Sequence, residues 1–110
     1  MSKSLFGQYL EEFLRVEIIE ESYGFATYSI QEQVCYIQDI FIQKEDRKQN
    51  KASQLADLIV KAALVKGCTV LIGTIVSNAI HADTNIKILQ AYGLKFTHIE
   101  NNTLSFKKDI

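Results

Sequence analysis

Arg47, Lys48 and Lys51 stand within one polar turn, Asp46-Arg47-Lys48-Gln49-Asn50-Lys51, that carries no bulky β-branched residue. If this turn overlies the first turn of a helix, the helix's unpaired backbone N–H groups and the cations together form a site for a phosphate or pyrophosphate. The plainer reading is a solvated helix start. Cations at a helix N-terminus oppose the dipole, which favours the ligand reading. Two further side chains can take up a proton. Asp39 lies on the strand that feeds the turn and is either a base or a strand-face carboxylate with a satisfied hydrogen bond; His81 lies in a later loop and is either a base or simply exposed. Cys35 and Cys68 sit in apolar runs with no CxxC and no paired-histidine spacing, so they read as buried thiols rather than metal ligands or a disulfide.

The elements that must position these groups centre on Tyr36 to Lys66. The alternating run ending at Ile42 places Cys35, Ile37 and Phe41 on one face and Tyr36, Ile40 and Ile42 on the other, as for a strand buried on both faces. After the charged turn, Ala52, Leu55, Leu58, Ile59, Ala62, Ala63 and Val65 recur at helical spacing. Upstream, Leu5, Phe6, Tyr9, Leu10, Phe13 and Leu14 predict an amphipathic helix over Ser4 to Arg15, capped by Ser4, with Glu11 and Glu12 facing solvent. Val16 to Glu20, Phe25 to Ile30 and Val34 to Ile42 then read as strands joined by turns too short for anything but an antiparallel meander. Tyr23, Tyr28 and Tyr36 read as sheet packing.

Downstream, Gly67 ends the central helix and Cys68 to Val76 forms a buried strand, completing a strand, helix and strand crossover of the kind that parallel pairing needs. Ser77 to Asp83 is a loop. Asp83 or Thr84 caps a second helix carrying Ile86, Ile88, Leu89 and Tyr92, and Gly93 stops it. Lys95 to Ile99 and Thr103 to Lys107 form a hairpin about Glu100-Asn101-Asn102. The expected class is therefore α/β (α+β), a mixed central sheet in one domain over residues 1–110.

Composition narrows the function. A net charge of −1 over 110 residues lacks the broad basic surface of a nucleic-acid binder, and the cations of the turn suit one small anion instead. With 47% hydrophobic and 23% charged residues the chain reads as globular, and no apolar run approaches the ~20 residues of a membrane span. Met1-Ser2-Lys3-Ser4 leads into an amphipathic segment rather than a secretory core, so a cytoplasmic location is expected. Small size and open sheet edges raise the expectation of a homodimer through the sheet edge or the C-terminal hairpin.

This order of elements resembles the GCN5-related N-acetyltransferases, the GNAT superfamily, over nearly the whole chain. The signature turn of that family reads Arg or Gln, two residues, Gly, one residue, then Gly or Ala, and is matched by Arg47-Lys48-Gln49-Asn50-Lys51-Ala52 after Ile40-Phe41-Ile42-Gln43-Lys44-Glu45-Asp46. Leu71 to Val76, an asparagine at 78 or 85, and Leu89-Gln90-Ala91-Tyr92-Gly93-Leu94 match the later pieces. The resemblance implies acetyl-CoA as co-substrate, with its pyrophosphate on Arg47, Lys48, Gln49, Asn50, Lys51 and Ala52 and its pantetheine beside Ile40, Phe41 and Ile42. It also implies that Asn78 or Asn85 bonds pantetheine, although both asparagines equally suit loop shaping. The acetyl acceptor would be an amine, on a small molecule or a protein, with Asp39 or His81 as base. Asn50 replaces the first glycine of the signature, and Leu89 stands where many members have a proton-donating tyrosine; Tyr92, three residues on, is the nearest hydroxyl. A GNAT-fold module that binds acyl-CoA or serves in assembly, without turnover, is the alternative that these departures raise.

Overall fold

Two-residue turns at Ser22-Tyr23 and Glu32-Gln33 force the first strands to double back on one another. In the computed structural model, which describes residues 4–110, the result is an antiparallel meander of β1 (Glu17–Glu21), β2 (Gly24–Gln31) and β3 (Val34–Ile42). Helix α1 (Leu5–Tyr9) precedes it and runs on into a π-helical turn, Leu10–Leu14. A short 3-10 turn, Lys44–Asp46, leads to α2 (Lys51–Val65), then β4 (Val70–Val76), α3 (Ala82–Ala91), β5 (Lys95–Glu100) and β6 (Thr103–Asp109). The six strands form one mixed sheet in the order β1-β2-β3-β4-β6-β5, as the sequence led us to expect in class. Its parallel step is β3 against β4, confined to Val34 through Ile37 opposite Val70 through Gly73.

Helices α2 and α3 cover one face, tied by the Tyr92 hydroxyl donating to Asp57 Oδ1 at 2.6 Å. Beneath them Ala26, Cys35, Ile37, Leu55, Ile59, Leu71, Leu94 and Phe106 make the core. Burial, with Cys68 close by, pushes the Cys35 thiol up to about 12. Of the expected α2 stripe, Leu55, Ile59 and Ala63 are buried with Ala56, whereas Val65 is 87% exposed. Two residues beyond Ala63, Val65 is turned by about 200° to the far side of the helix. Gly67 takes φ +82 and stops α2, with Cys68 N–H donating to the Ala63 carbonyl at 3.0 Å.

The other face carries α1. Ser4 caps it as expected, its hydroxyl accepting from Gly7 N–H at 2.9 Å while donating to Glu20 at 2.6 Å. The expected amphipathic burial is not found. Leu10 is buried, but Leu5, Phe6, Tyr9, Phe13 and Leu14 are all more than half exposed. The wide π-helical turn breaks the 3.6-residue stripe, so Gly7 and Leu10 alone are buried here. Glu12 is exposed as expected, whereas Glu11 is half-buried. Met1 to Lys3 lie outside the described residues.

Two other local expectations change. The N-cap of α3 lies two to three residues earlier than the proposed caps: His81 holds it in the left-handed region at φ +68, and Asp83 falls inside the first turn. The hairpin turn is Asn101-Asn102, both left-handed at φ +49 and +64, with Glu100 still paired in β5. Among the described residues no helix is long and apolar enough to cross a membrane.

Candidate functional site

The site begins with one extra residue in β3. Thr27 pairs with Asp39 and Tyr28 with Ile37, so Gln38 is bulged out of the ladder with β2. A bulge shifts the two-residue alternation of a strand by one. Cys35 and Ile37 point into the core, and after the bulge Ile40 and Ile42 do so, while Phe41 is 47% exposed on the α1 face beside Phe25. The expected grouping of Phe41 with Cys35 and Ile37 is thereby overturned.

The bulge also bends β3 away from β4. Their pairing ends at Ile37 opposite Gly73, and from there the strands part around a cleft of about 140 Å³. Its walls are Ile37 to Ile40 from β3, Gly73 to Ile75 from β4, and Asn85, Ile88 and Leu89 from α3. Gly73 keeps the packing close there: a Cβ would stand 3.0 Å from both Cδ atoms of Leu89, which would have to shift. Asp39 reaches the cleft, held by the Thr27 hydroxyl donating to Oδ2 at 2.9 Å, with Thr27 itself buried. Among the described residues its Oδ1 has no partner.

Beyond the far end of β3 lies the cationic turn. Asn50 holds φ +60, the left-handed conformation that asparagine tolerates better than other side-chain-bearing residues, and Lys48 holds φ +65. Asn50 makes no side-chain cap, and the first helical bond of α2 runs from Gln54 N–H to the Asn50 carbonyl at 3.1 Å. The amides of Lys51, Ala52 and Ser53 therefore lead the helix without an intrahelical acceptor, an arrangement that suits an anion. The cations do not converge on one point. Arg47 donates from Nε to the Ile42 carbonyl at 2.9 Å and lies 5.8 Å from the Phe41 ring centre, while Lys51 Nζ lies 4.8 Å from that of Tyr23. Lys48 and Gln49 are exposed.

The remaining expected site residues fall elsewhere. Asn85 lines the cleft, but Asn78 and His81 line a separate polar depression with Ser77, Asp83 and Thr84. The Tyr92 side chain is turned to α2. Desolvation and its hydrogen bond to Asp57 raise its pKa, and Lys108 Nζ donates to its carbonyl at 3.0 Å. Tyr28 is buried packing, in keeping with its expected role. Sequence reasoning missed Ile37, Gln38, Gly73, Thr74, Ile75 and Ile88 as cleft residues; a glycine inside the run Leu71-Ile72-Gly73-Thr74 was the available signal.

A mixed sheet whose parallel central strands part beside a crossover helix, with an open helix N-terminus beyond, is an architecture shared with solved structures. The chain is similar to a GNAT family acetyltransferase from Elizabethkingia anophelis with acetyl-CoA bound, at 17% identity and TM-score 0.73 over 99% of this chain and 84% of that one. It is similar to the PaiA N-acetyltransferase from Thermoplasma acidophilum in complex with coenzyme A, at 12% identity and TM-score 0.76 over 96% of this chain and 69% of that one. Ard1 from Thermoplasma volcanium aligns at 14% identity and TM-score 0.67 over 80% of this chain, which spans only 63% of that protein. No protein-family model and no curated protein sequence matches the chain. The chain has the GNAT fold.

Proposed function

We propose that the chain is an N-acyltransferase that moves an acetyl group from acetyl-CoA to an amine. The observation that carries this reading is the parting of β3 and β4 beyond Ile37 and Gly73, with Asp39 at the cleft and the open turn of α2 beyond the end of β3. The residues present fit the co-substrate. Left-handed Asn50 keeps the backbone path that glycine would give, and its side chain does not cap the amides of Lys51 to Ser53. Those amides and Arg47 would hold the pyrophosphate; Ile40 and Asn85 would line the pantetheine arm.

Acetyl-CoA supplies a thioester carbonyl carbon. The amine nitrogen attacks that carbon, the C–N bond forms, and the C–S bond breaks with its electron pair leaving on sulfur. Asp39, through Oδ1 or one water, takes the proton that the amine sheds. Backbone N–H groups of β3 past Ile37, on the edge that β4 no longer pairs, are donors for the oxygen that becomes negative. Leu89 puts an apolar wall where a proton donor would serve the departing thiolate, so water supplies that proton.

Leu89, and Tyr92 committed to Asp57, favour a second reading in which the fold binds acyl-CoA without turnover. Thermal unfolding with and without CoA and acetyl-CoA, followed by thiol release over a panel of amines, separates the readings. A raised midpoint with amine-dependent thiol release is expected. A raised midpoint with no release supports the binding module, and an unmoved midpoint refutes both.

A further inference from the structure

Resting on the acyltransferase reading, we infer the class of acceptor: a small arylalkylamine, a primary amine joined to an aromatic ring by a short carbon link. The side of the sheet opposite α2 carries both halves of such a site. Asp39 projects there on the rung it shares with Thr27, and the next rung on that face is Phe25 opposite Phe41. The Phe25 and Phe41 rings are stacked at 5.7 Å, and Phe6 from α1 meets Phe25 edge-on at 6.0 Å. Phe41 is 47% and Phe6 53% exposed, so this aromatic wall has surface left to offer.

The spacing selects among amines. Positions two apart along one strand lie about 7 Å apart. A ring resting against Phe41 with its ammonium hydrogen-bonded to Asp39 Oδ1 bridges that distance through a short carbon link, which an amine without a ring does not use. On the other side of Asp39 the same face is polar, with Gln38 donating to Ser29 at 3.1 Å. The apolar body of the acceptor is thus directed toward the phenylalanines. A polyamine would leave those rings uncovered, and the carboxylate on the Phe25 rung, Glu20, is already taken up by the Ser4 hydroxyl and N–H at 2.6 and 3.0 Å.

The test uses the full chain with CoA or acetyl-CoA. First, CoA binding is read by thermal shift; failure here overturns the acyltransferase reading and this inference with it. Given CoA binding, kcat/KM is compared for phenethylamine, benzylamine, propylamine, spermidine and a lysine peptide, with calorimetric titration of phenethylamine into the protein with CoA as a readout free of turnover. Phenethylamine is expected to exceed propylamine and spermidine by roughly tenfold, the scale of one aromatic contact. Phe41→Ala should abolish that preference while Phe41→Tyr keeps it. Because Phe41 is half exposed, both variants are expected to fold, and a cooperative thermal transition of each without ligand checks this. Equal values for phenethylamine and propylamine, a preference for spermidine or the peptide, or an unaltered preference in Phe41→Ala would overturn the inference and leave acetyl transfer itself standing.

Discussion

Reversing the charge at Arg47 tests the cationic turn most directly. Without ligand, Arg47→Glu loses the bond from Nε to the Ile42 carbonyl and the contact with Phe41. For an exposed side chain these together contribute about 1 kcal/mol, or a fall of about 4–8 °C in midpoint for a domain near this size. With CoA the effect is larger. A unit charge about 5 Å from a phosphate contributes about 1–3 kcal/mol, depending on solvent screening, and reversal counts it twice. Taking the screened end because Arg47 is exposed gives about 2 kcal/mol, a dissociation constant about 30-fold weaker. At a CoA concentration about 100 times the wild-type constant, the ligand should stabilise wild type by about 2.7 kcal/mol and the variant by only about 0.9 kcal/mol. Differential scanning fluorimetry of both proteins, with and without CoA, reads all four midpoints, and Arg47→Gln should fall between. If Arg47→Glu keeps the full CoA-induced shift, the pyrophosphate does not sit on this turn, and the placement of the co-substrate is wrong.

Three further outcomes are expected. Gly73→Ala drives a methyl to 3.0 Å of the Leu89 side chain, which is itself buried, and should cost about 1–3 kcal/mol in urea unfolding while narrowing the cleft; an unchanged urea midpoint would show that Leu89 moves freely. Tyr92→Phe strips Asp57 of its donor and should cost about 1 kcal/mol of stability with kcat unchanged, whereas a tenfold fall in kcat would return Tyr92 to the chemistry. Cys35 gives a pH test: burial raises its thiol from 9.0 to about 12, so the unfolded chain loses the proton first and stability falls across that interval as pH rises. The group contributes a slope of about 1.4 kcal/mol per pH unit, and Cys35→Ala should flatten the alkaline limb of the unfolding free energy while leaving its neutral end without such a slope. Parallel limbs in the two proteins would refute the shift.

The parts of this molecule that a sequence can encode locally were legible in it. Short turns dictated the meander, Gly67 and Gly93 marked helix ends at φ +82 and +102, and the asparagine pair marked its hairpin. Each works through the conformational range of one or two residues, so no partner need be known. The cleft is of another kind. Gln38 looks like any polar residue in an alternating strand, and only the register of β2 against β3 reveals that it is extra. Once it is, every later residue of β3 changes face: Asp39 and Phe41 come to the side of α1, and Ile40 and Ile42 turn to the core. The same residue bends β3 from β4 and opens the cleft, so the feature that defeats the sequence pattern is the one that makes the site. Local strand periodicity and function conflict here because a strand that kept its alternation would keep its pairing, and a fully paired β3 would leave no room between the strands for a substrate.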